Sequence, residues 1–190
     1  MKKRIIFIIL AILVLGLGVW CWGQSGNHSA LKEGDIVFRI SESRQSPFIA
    51  TATTSPWTHC GVIVMRGGEP WVLEAVQPVK LTRWSDWKQR GKWGITSMKR
   101  YTEDEVKINY KKYLGRPYDM AFRFGNNAWY CSELVYDIYK TQLGVELCQP
   151  RPVSDYHMND KIRAEMKRRG ISTDQLVVAP VDLFNSDKLH

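Results

Sequence analysis

Short runs rich in β-branched and aromatic residues, separated by polar and glycine-containing segments, recur in the first half of the chain after its N-terminal segment, as expected of strands. Strands are predicted at DIVFRI, HCGVIVM, PWVLEAV and ITSMKRY. The middle two flank RGGE, whose paired glycines are typical of a hairpin turn. The intervening segment SESRQSPFIATATTSPW predicts a loop or a short helix. The sequence therefore predicts an antiparallel hairpin within a β-rich half.

The second half of the chain has the three- and four-residue spacing of helices. Thr102 stands three residues before Glu105, a capping-box pattern that predicts a helix over EDEVKINYKKYL, ended by Gly115. After the loop GRPYDMAFRFGNNAW, an apolar face predicts a helix from Cys131 to near Gly144. DKIRAEMKRRG predicts a basic amphipathic helix, and QLVVAPVDLF a late strand followed by a turn. This order of elements indicates an α+β fold.

The N-terminus carries a different pattern. MKKR is followed by the uncharged run IIFIILAILVLGLGVW, which has the length of a signal peptide or a single membrane span. Basic residues ahead of such a run predict a cytoplasmic N-terminus. In a bacterium the rest would be exported to the periplasm or cell envelope, either released by cleavage or anchored to the inner membrane. We predict a signal peptide or anchor over residues 1–23, a linker over 24–33 and one domain over 34–190.

The charge balance narrows the class of partner. The net charge of +8 falls by three, to +5, when the basic residues of MKKR are set aside. A mildly basic exported domain suits an anionic envelope or a membrane surface. The sequence has no aromatic-basic RNA motif and no zinc-finger spacing, so nucleic acid is not a predicted partner.

Beyond the predicted signal peptide or anchor of residues 1–23 the chain has three cysteines, Cys60, Cys131 and Cys148, so at least one of these thiols is unpaired within this part of the chain. The sequence does not decide whether Cys60 and Cys148 form a disulfide. There is no C-x-x-C spacing, and neither a metal nor an organic cofactor is predicted. Cys131 lies in the first turn of its helix, where the helix dipole and unpaired N–H groups favour the thiolate. It is either a nucleophile or a buried, inert cysteine.

A nucleophilic thiol needs a histidine as base and a third group to orient the imidazole. His28, His157 and His190 lie in the linker, in a polar loop and at the C-terminus, where a rigid position is not expected. His59 instead begins the first strand of the predicted hairpin. It is the candidate base.

The hairpin register predicts the partner of His59. If Arg66 pairs with Glu69 across the two glycines, Gly61 faces Glu74. Side chains alternate along strands, so His59 and Glu74 share one face and are diagonal neighbours. Gly61 has no side chain to separate them. A carboxylate that orients the imidazole is thus predicted at Glu74.

Other interpretations of these residues are a solvent-facing carboxylate at Glu74 and a core or edge histidine at His59. Cys60 points away from His59 on the same strand and is predicted to be a core residue. The combination of helix-start Cys131, strand-start His59 and same-face Glu74 favours catalysis over those single interpretations.

Five blocks, GDIVF, THCGVIV, VLEAV, LGRPYDMAF and YCSELVY, resemble the circularly permuted branch of the NlpC-type papain-like cysteine hydrolases, the YiiX/YebB-like group. The blocks stand in the order of that branch and span about residues 31–184. The resemblance implies a papain-like α+β fold with permuted topology, in which an antiparallel sheet packs against helices and the nucleophile begins a helix. It implies Cys131 as nucleophile, His59 as base and Glu74 as the orienting residue. Tyr130 would line the substrate pocket or assist an oxyanion hole, or be a core aromatic.

The resemblance also implies a mechanism, hydrolysis of an amide through a thioester, without a cofactor. The expected substrate is a cell-wall peptide or a related acylated molecule. A lipid acyl hydrolase or acyltransferase of the same superfamily is the alternative, favoured by a broad apolar pocket beside Cys131. A module that binds a peptide or lipid without turning it over is the non-enzymatic alternative.

Overall fold

A five-stranded antiparallel sheet forms the centre of the protein, in the order β4-β3-β2-β1-β5. Its strands are β1 (Ile36–Ser41), β2 (His59–Arg66), β3 (Glu69–Glu74), β4 (Lys80–Arg83) and β5 (Gly91–Lys99). The computed structural model describes residues 31–190. The predicted signal peptide or anchor lies outside this part of the chain and stays a prediction. Within the described part, no helix combines the length and the apolarity needed to cross a membrane.

The hairpin of β2 and β3 has the predicted register. Arg66 pairs with Glu69, and the ladder continues as far as Val62 and Leu73. The absence of a side chain at Gly61 is required by packing, because a Cβ there would lie 2.5 Å from Val72 Cγ1 and 3.5 Å from Glu74 Cβ. Strand β4 was not predicted from the sequence, although it completes the surroundings of Glu74.

Residues 31–190 contain five α-helices: α1 (Ser46–Thr53), α2 (Trp84–Gln89), α3 (Cys131–Ile138), α4 (Asp160–Arg169) and α5 (Pro180–Phe184). Helix α3 continues as a π-helical turn to Leu143 and ends at Gly144, whose φ of +69° suits glycine. The predicted late strand is only Leu176–Val177, β7, which pairs with β6 (Arg151–Pro152). The predicted turn after it is helix α5.

The prediction of a helix over EDEVKINYKKYL is wrong, because that segment has no helical structure. The Thr102 hydroxyl accepts a hydrogen bond from the backbone N–H two residues on, and so forms a local turn instead of a helix cap. Further along, Ile108 N–H donates to Glu33 Oε1 and Asn109 N–H to Gln142 Oε1, each at 2.7 Å. Side chains distant in sequence therefore satisfy the backbone groups that a helix would have paired internally.

Helix α3 packs its apolar face against one side of the sheet. The buried side chains shared between them include Ile36, Phe38, Cys60, Val62, Val64, Leu134, Val135 and Ile138. The opposite face of the hairpin carries Glu74, which is buried by α2 and β4. The start of α3 therefore lies next to the edge of the sheet at which β2 begins and β3 ends.

Candidate active site

Cys131 is the first residue of α3, as predicted, and is 3% exposed. The preceding Tyr130 has the extended backbone of a helix N-cap, with φ −95° and ψ 168°. Its backbone N–H donates to Glu133 Oε2 at 3.4 Å, which fixes the entry into the helix. The sulfur of Cys131 thus sits where the backbone N–H groups of the first turn have no partners within the helix.

His59 begins β2 and lies opposite Arg39 of β1. Its Nε2 is 2.6 Å from Glu74 Oε2, so the predicted diagonal contact is present. The second ring nitrogen, Nδ1, is left for the Cys131 thiol, with which the imidazole also interacts. One face of the ring stacks on Trp87 of α2, with 6.2 Å between the ring centroids. The imidazole is therefore held between a carboxylate, a thiol and an indole.

Glu74 has no exposed surface and receives hydrogen bonds from several elements. Its Oε1 accepts from the Thr82 hydroxyl of β4 at 2.6 Å. Its Oε2 accepts from Trp87 Nε1 at 3.0 Å and from Arg39 Nη2 at 3.3 Å. Burial disfavours the carboxylate, but His59, Thr82 and Arg39 outweigh it and lower the pKa of Glu74 to about 2. Glu74 is thus ionised at neutral pH.

The imidazole and the thiol shift each other's ionisation. Burial opposes a charge on His59, yet hydrogen bonds to Cys131 and Glu74 raise its pKa to about 9. The pKa of Cys131 lies well below the ordinary value, because the Cys60 thiol and the His59 ring stabilise the thiolate against the effect of burial. Both shifts favour a thiolate beside an imidazolium that the carboxylate orients.

Cys60 is fully buried, which confirms its prediction as a core residue. Its thiol also faces Cys131, a contact that the alternation of side chains along β2 did not predict. Burial, together with hydrogen bonding to Cys131, raises the pKa of Cys60 well above its ordinary value. Cys60 therefore stays a thiol that can donate to the Cys131 thiolate. Cys60, Cys131 and Cys148 are all free, so the structure has no Cys60–Cys148 disulfide.

Replacing Cys60 with alanine is expected to raise the pKa of Cys131, because the thiolate loses a hydrogen-bond donor. The rate of alkylation of Cys131 by iodoacetamide, followed by mass spectrometry across pH, should reach half its maximum at a higher pH than in wild type. Cys148→Ala is the matched control, since that thiol lies outside the site, and should leave the profile unchanged. An unaltered profile in Cys60→Ala would show that Cys60 does not stabilise the thiolate.

A cavity of about 130 Å³ opens beside Cys131. Its walls come from α1, α4 and the loops around them, and the surface that they expose to the cavity is almost entirely apolar, although Gln45, Glu165 and Arg169 also line it. The apolar residues of the lining include Phe48, Ile49, Phe122, Tyr130, Met158 and Met166. Tyr130 lines the cavity with its ring, and its hydroxyl accepts a hydrogen bond from Val178 N–H at 3.1 Å. The site thus combines a thiol of lowered pKa with an adjoining apolar cavity.

A polar relay at the wall of this cavity was missed by sequence reasoning. Gln45 Nε2 donates to the Tyr118 hydroxyl at 2.7 Å, and Arg169 Nη1 donates to Gln45 Oε1 at 3.1 Å. Because the hydroxyl oxygen of Tyr118 is the acceptor, its own hydrogen is left to be donated. Arg169 is the last residue of α4, Tyr118 lies in an irregular loop, and Gln45 directly precedes α1. No local sequence signal links the three.

Comparisons of the sequence and of the structure with known proteins point to the same family. A family model described as "Permuted papain-like amidase enzyme, YaeF/YiiX, C92 family" matches residues 30–190. The "Uncharacterized protein YiiX" of Escherichia coli strain K12 is 32% identical over 200 residues, which cover 100% of this chain and 94% of that protein. The crystal structure of "metalloprotein yiiX" from Escherichia coli O157:H7 is 33% identical, with a TM-score of 0.77. The match covers 84% of this chain and 94% of that one.

Proposed function

Since this chain belongs to the permuted papain-like amidases of the YaeF/YiiX family, we propose that it cleaves an amide bond through a thioester on Cys131. The observation that carries the proposal is the 2.6 Å hydrogen bond between Glu74 and His59, together with the interaction of the His59 imidazole with the Cys131 thiol. This arrangement supports roles for Cys131 as nucleophile, His59 as proton carrier and Glu74 as orienting carboxylate. Each is needed for acyl transfer by a thiol.

The first half of the reaction forms the thioester. The Cys131 thiolate attacks the carbonyl carbon of the amide and yields a tetrahedral intermediate, whose oxyanion is stabilised by backbone N–H groups at the start of α3. The His59 imidazolium gives its proton to the leaving nitrogen as the carbon–nitrogen bond breaks. The amine departs, and the acyl group remains on sulfur.

The second half releases the acyl group. His59, now neutral, takes a proton from water as the water oxygen attacks the thioester carbon. Collapse of the intermediate expels the thiolate, which pairs again with the imidazolium. Glu74 keeps its charge throughout and stabilises the imidazolium in the orientation required for both steps.

The cavity beside Cys131 bears on the substrate. A cell-wall peptide is polar, whereas the surface exposed inside the cavity is almost wholly apolar. We therefore propose that the acyl part of the substrate is apolar and occupies this cavity, as in an acylated envelope molecule. A lipid acyl hydrolase or acyltransferase is the second candidate, favoured by the same observation. If an amine or alcohol replaces water in the second half, the site transfers the acyl group instead of hydrolysing it.

The related Escherichia coli O157:H7 protein is described as a metalloprotein. In residues 31–190 of this chain, no group of three or more His, Cys, Asp or Glu side chains is placed to hold a metal ion. The oxygens of Glu74 are engaged by His59, Thr82 and Trp87, and the Arg39 guanidinium lies 3.3 Å away. A divalent cation at Glu74 would meet this positive charge. The surroundings of Glu74 therefore do not fit a metal, and no step above uses one.

The proposal is tested with N-acyl p-nitroanilides whose acyl groups run from acetyl and short peptidyl to octanoyl. The enzyme should release nitroaniline and, after rapid quenching, carry the acyl mass on the peptide that contains Cys131. The value of kcat/KM should rise with the length of the aliphatic acyl group, since more apolar surface enters the cavity. Turnover with no acylated Cys131 would overturn the thioester mechanism. A preference for acetyl or peptidyl groups would overturn the apolar substrate class and leave the mechanism standing.

A further inference from the structure

Residues 92–95 project from the edge of the sheet. Strand β5 pairs with β1 at Thr96 and again at Gly91, and the segment between these two points bulges out of the ladder. Trp93 is 77% exposed and Ile95 is 43% exposed. The backbone at Trp93 has a φ of +58°, a conformation that bulky residues rarely adopt. The fold therefore holds a large apolar side chain outward, where it contributes nothing to the core.

Basic residues surround this projection. Lys88, Arg90 and Lys92 are all exposed, and Asp86 is the one acidic residue between positions 84 and 95. In the described part of the chain, no carboxylate lies within ion-pair distance of these three cations. The ammonium of Lys92 lies 4.4 Å from the centroid of the Trp93 ring. Positive charge is thus concentrated around an exposed indole.

We propose that Lys88, Arg90, Lys92, Trp93 and Ile95, the bulge patch, dock the domain onto an anionic lipid bilayer. Tryptophan favours the boundary between headgroups and acyl chains, and amines beside it pair with lipid phosphates. A nucleic acid duplex offers phosphates to the cations, but its base faces are covered and it has no apolar layer for Trp93 and Ile95. The combination of charge with an apolar tip therefore favours a bilayer.

The position of the patch relates it to the active site. It begins at the C-terminal end of α2, the short helix whose Trp87 donates to Glu74 and stacks on His59. Docking at the patch would therefore bring α2 close to the lipid. This inference concerns binding alone and goes beyond the proposed amide hydrolysis, so each can fail without the other.

The test measures co-sedimentation with vesicles. Residues 32–190 form a compact unit with their own buried core, so the domain is used without the apolar N-terminal run, which would itself bind lipid. Wild type should bind phosphatidylglycerol–phosphatidylethanolamine vesicles, with little binding to phosphatidylcholine vesicles and loss at high salt. Trp93→Ser and the double variant Lys88→Glu/Lys92→Glu should each weaken binding about tenfold or more.

Matched controls come from other surfaces. Leu176→Ser removes a side chain that is 51% exposed, and Lys161→Glu/Lys167→Glu reverses two charges on the basic helix α4. Both should bind vesicles as wild type does, and circular dichroism should show that every variant is folded. Retention on heparin should fall for the charge reversal in the patch and stay unchanged for Trp93→Ser.

Three outcomes would overturn the proposal. Wild type could fail to bind anionic vesicles. Trp93→Ser could bind them as wild type does, which would reduce the patch to a general polyanion site. The α4 charge reversal could weaken binding as much as the patch reversal, which would show that no particular surface docks.

Discussion

Cys131→Ala is expected to abolish turnover and acyl-enzyme formation together, with a loss in kcat of about 10⁴-fold or more. The thiolate at the start of α3 is the atom that bonds to the acyl carbon in the proposed mechanism, and no neighbouring group can replace it. Cys60 lies beside it, but burial raises the pKa of that thiol well above its ordinary value. Release of nitroaniline and the mass of the Cys131 peptide measure the two effects.

Two variants serve as controls for this loss. Cys148→Ala removes a thiol outside the site and should retain full activity. Cys131→Ser keeps a nucleophilic atom of similar size, but a hydroxyl does not ionise beside an imidazole as a thiol does, so activity should still be lost. Undiminished turnover in Cys131→Ala would contradict the proposed mechanism.

Changes at Glu74 are expected to affect both activity and stability. Glu74→Leu leaves the Arg39 guanidinium buried without its carboxylate, which should cost about 3–5 kcal/mol in the free energy of unfolding. Glu74→Gln keeps the shape, but the imidazolium loses its counter-ion and orientation, so kcat should fall by about 10²- to 10⁴-fold. Urea denaturation and nitroaniline release measure the two losses. Glu69→Gln, an exposed carboxylate on the same strand, is the control and should change neither.

The dependence of stability on acidic pH gives an independent measure of the ionisation of Glu74 in the folded protein. Its pKa is lowered from 4.5 to about 2 in the folded protein, so its ionised form stabilises the fold above pH 4.5. That contribution is lost as the pH falls from 4.5 towards 2. Glutamine cannot titrate, so the free energy of unfolding should fall less steeply over this range in Glu74→Gln than in wild type. Parallel pH profiles in the two proteins would contradict an ionised, buried Glu74.

The sequence was sufficient for the contact between His59 and Glu74 because that contact depends on local rules. Two glycines set the turn, the turn sets the register, and alternation along the strands then places both side chains on one face. The position of Cys131 was likewise predictable, because apolar spacing after a loop marks the start of a helix. Each of these inferences needs only residues that are near one another in the chain.

The partners of Glu74 from elsewhere in the fold were beyond such rules. Arg39, Thr82 and Trp87 reach the carboxylate from β1, β4 and α2, and their approach depends on how those elements pack. The helix predicted after Thr102 failed for the same reason, because side chains remote in sequence form hydrogen bonds with the backbone of that segment. The apolar cavity was anticipated only as a condition for a lipid substrate, because its walls are assembled from separate loops and helices.

The hairpin of β2 and β3 also bears on when the enzyme becomes chemically competent. Isolated hairpins form within about 1–10 μs, and this one brings the imidazole and its carboxylate together over only fifteen residues. The sulfur arrives from a helix that begins much later in the chain, and such a long-range contact closes only as the tertiary structure is completed. A nascent or partly folded chain would therefore carry a base without an activated nucleophile. The proposed thiolate would then form only once the cavity beside it has been assembled.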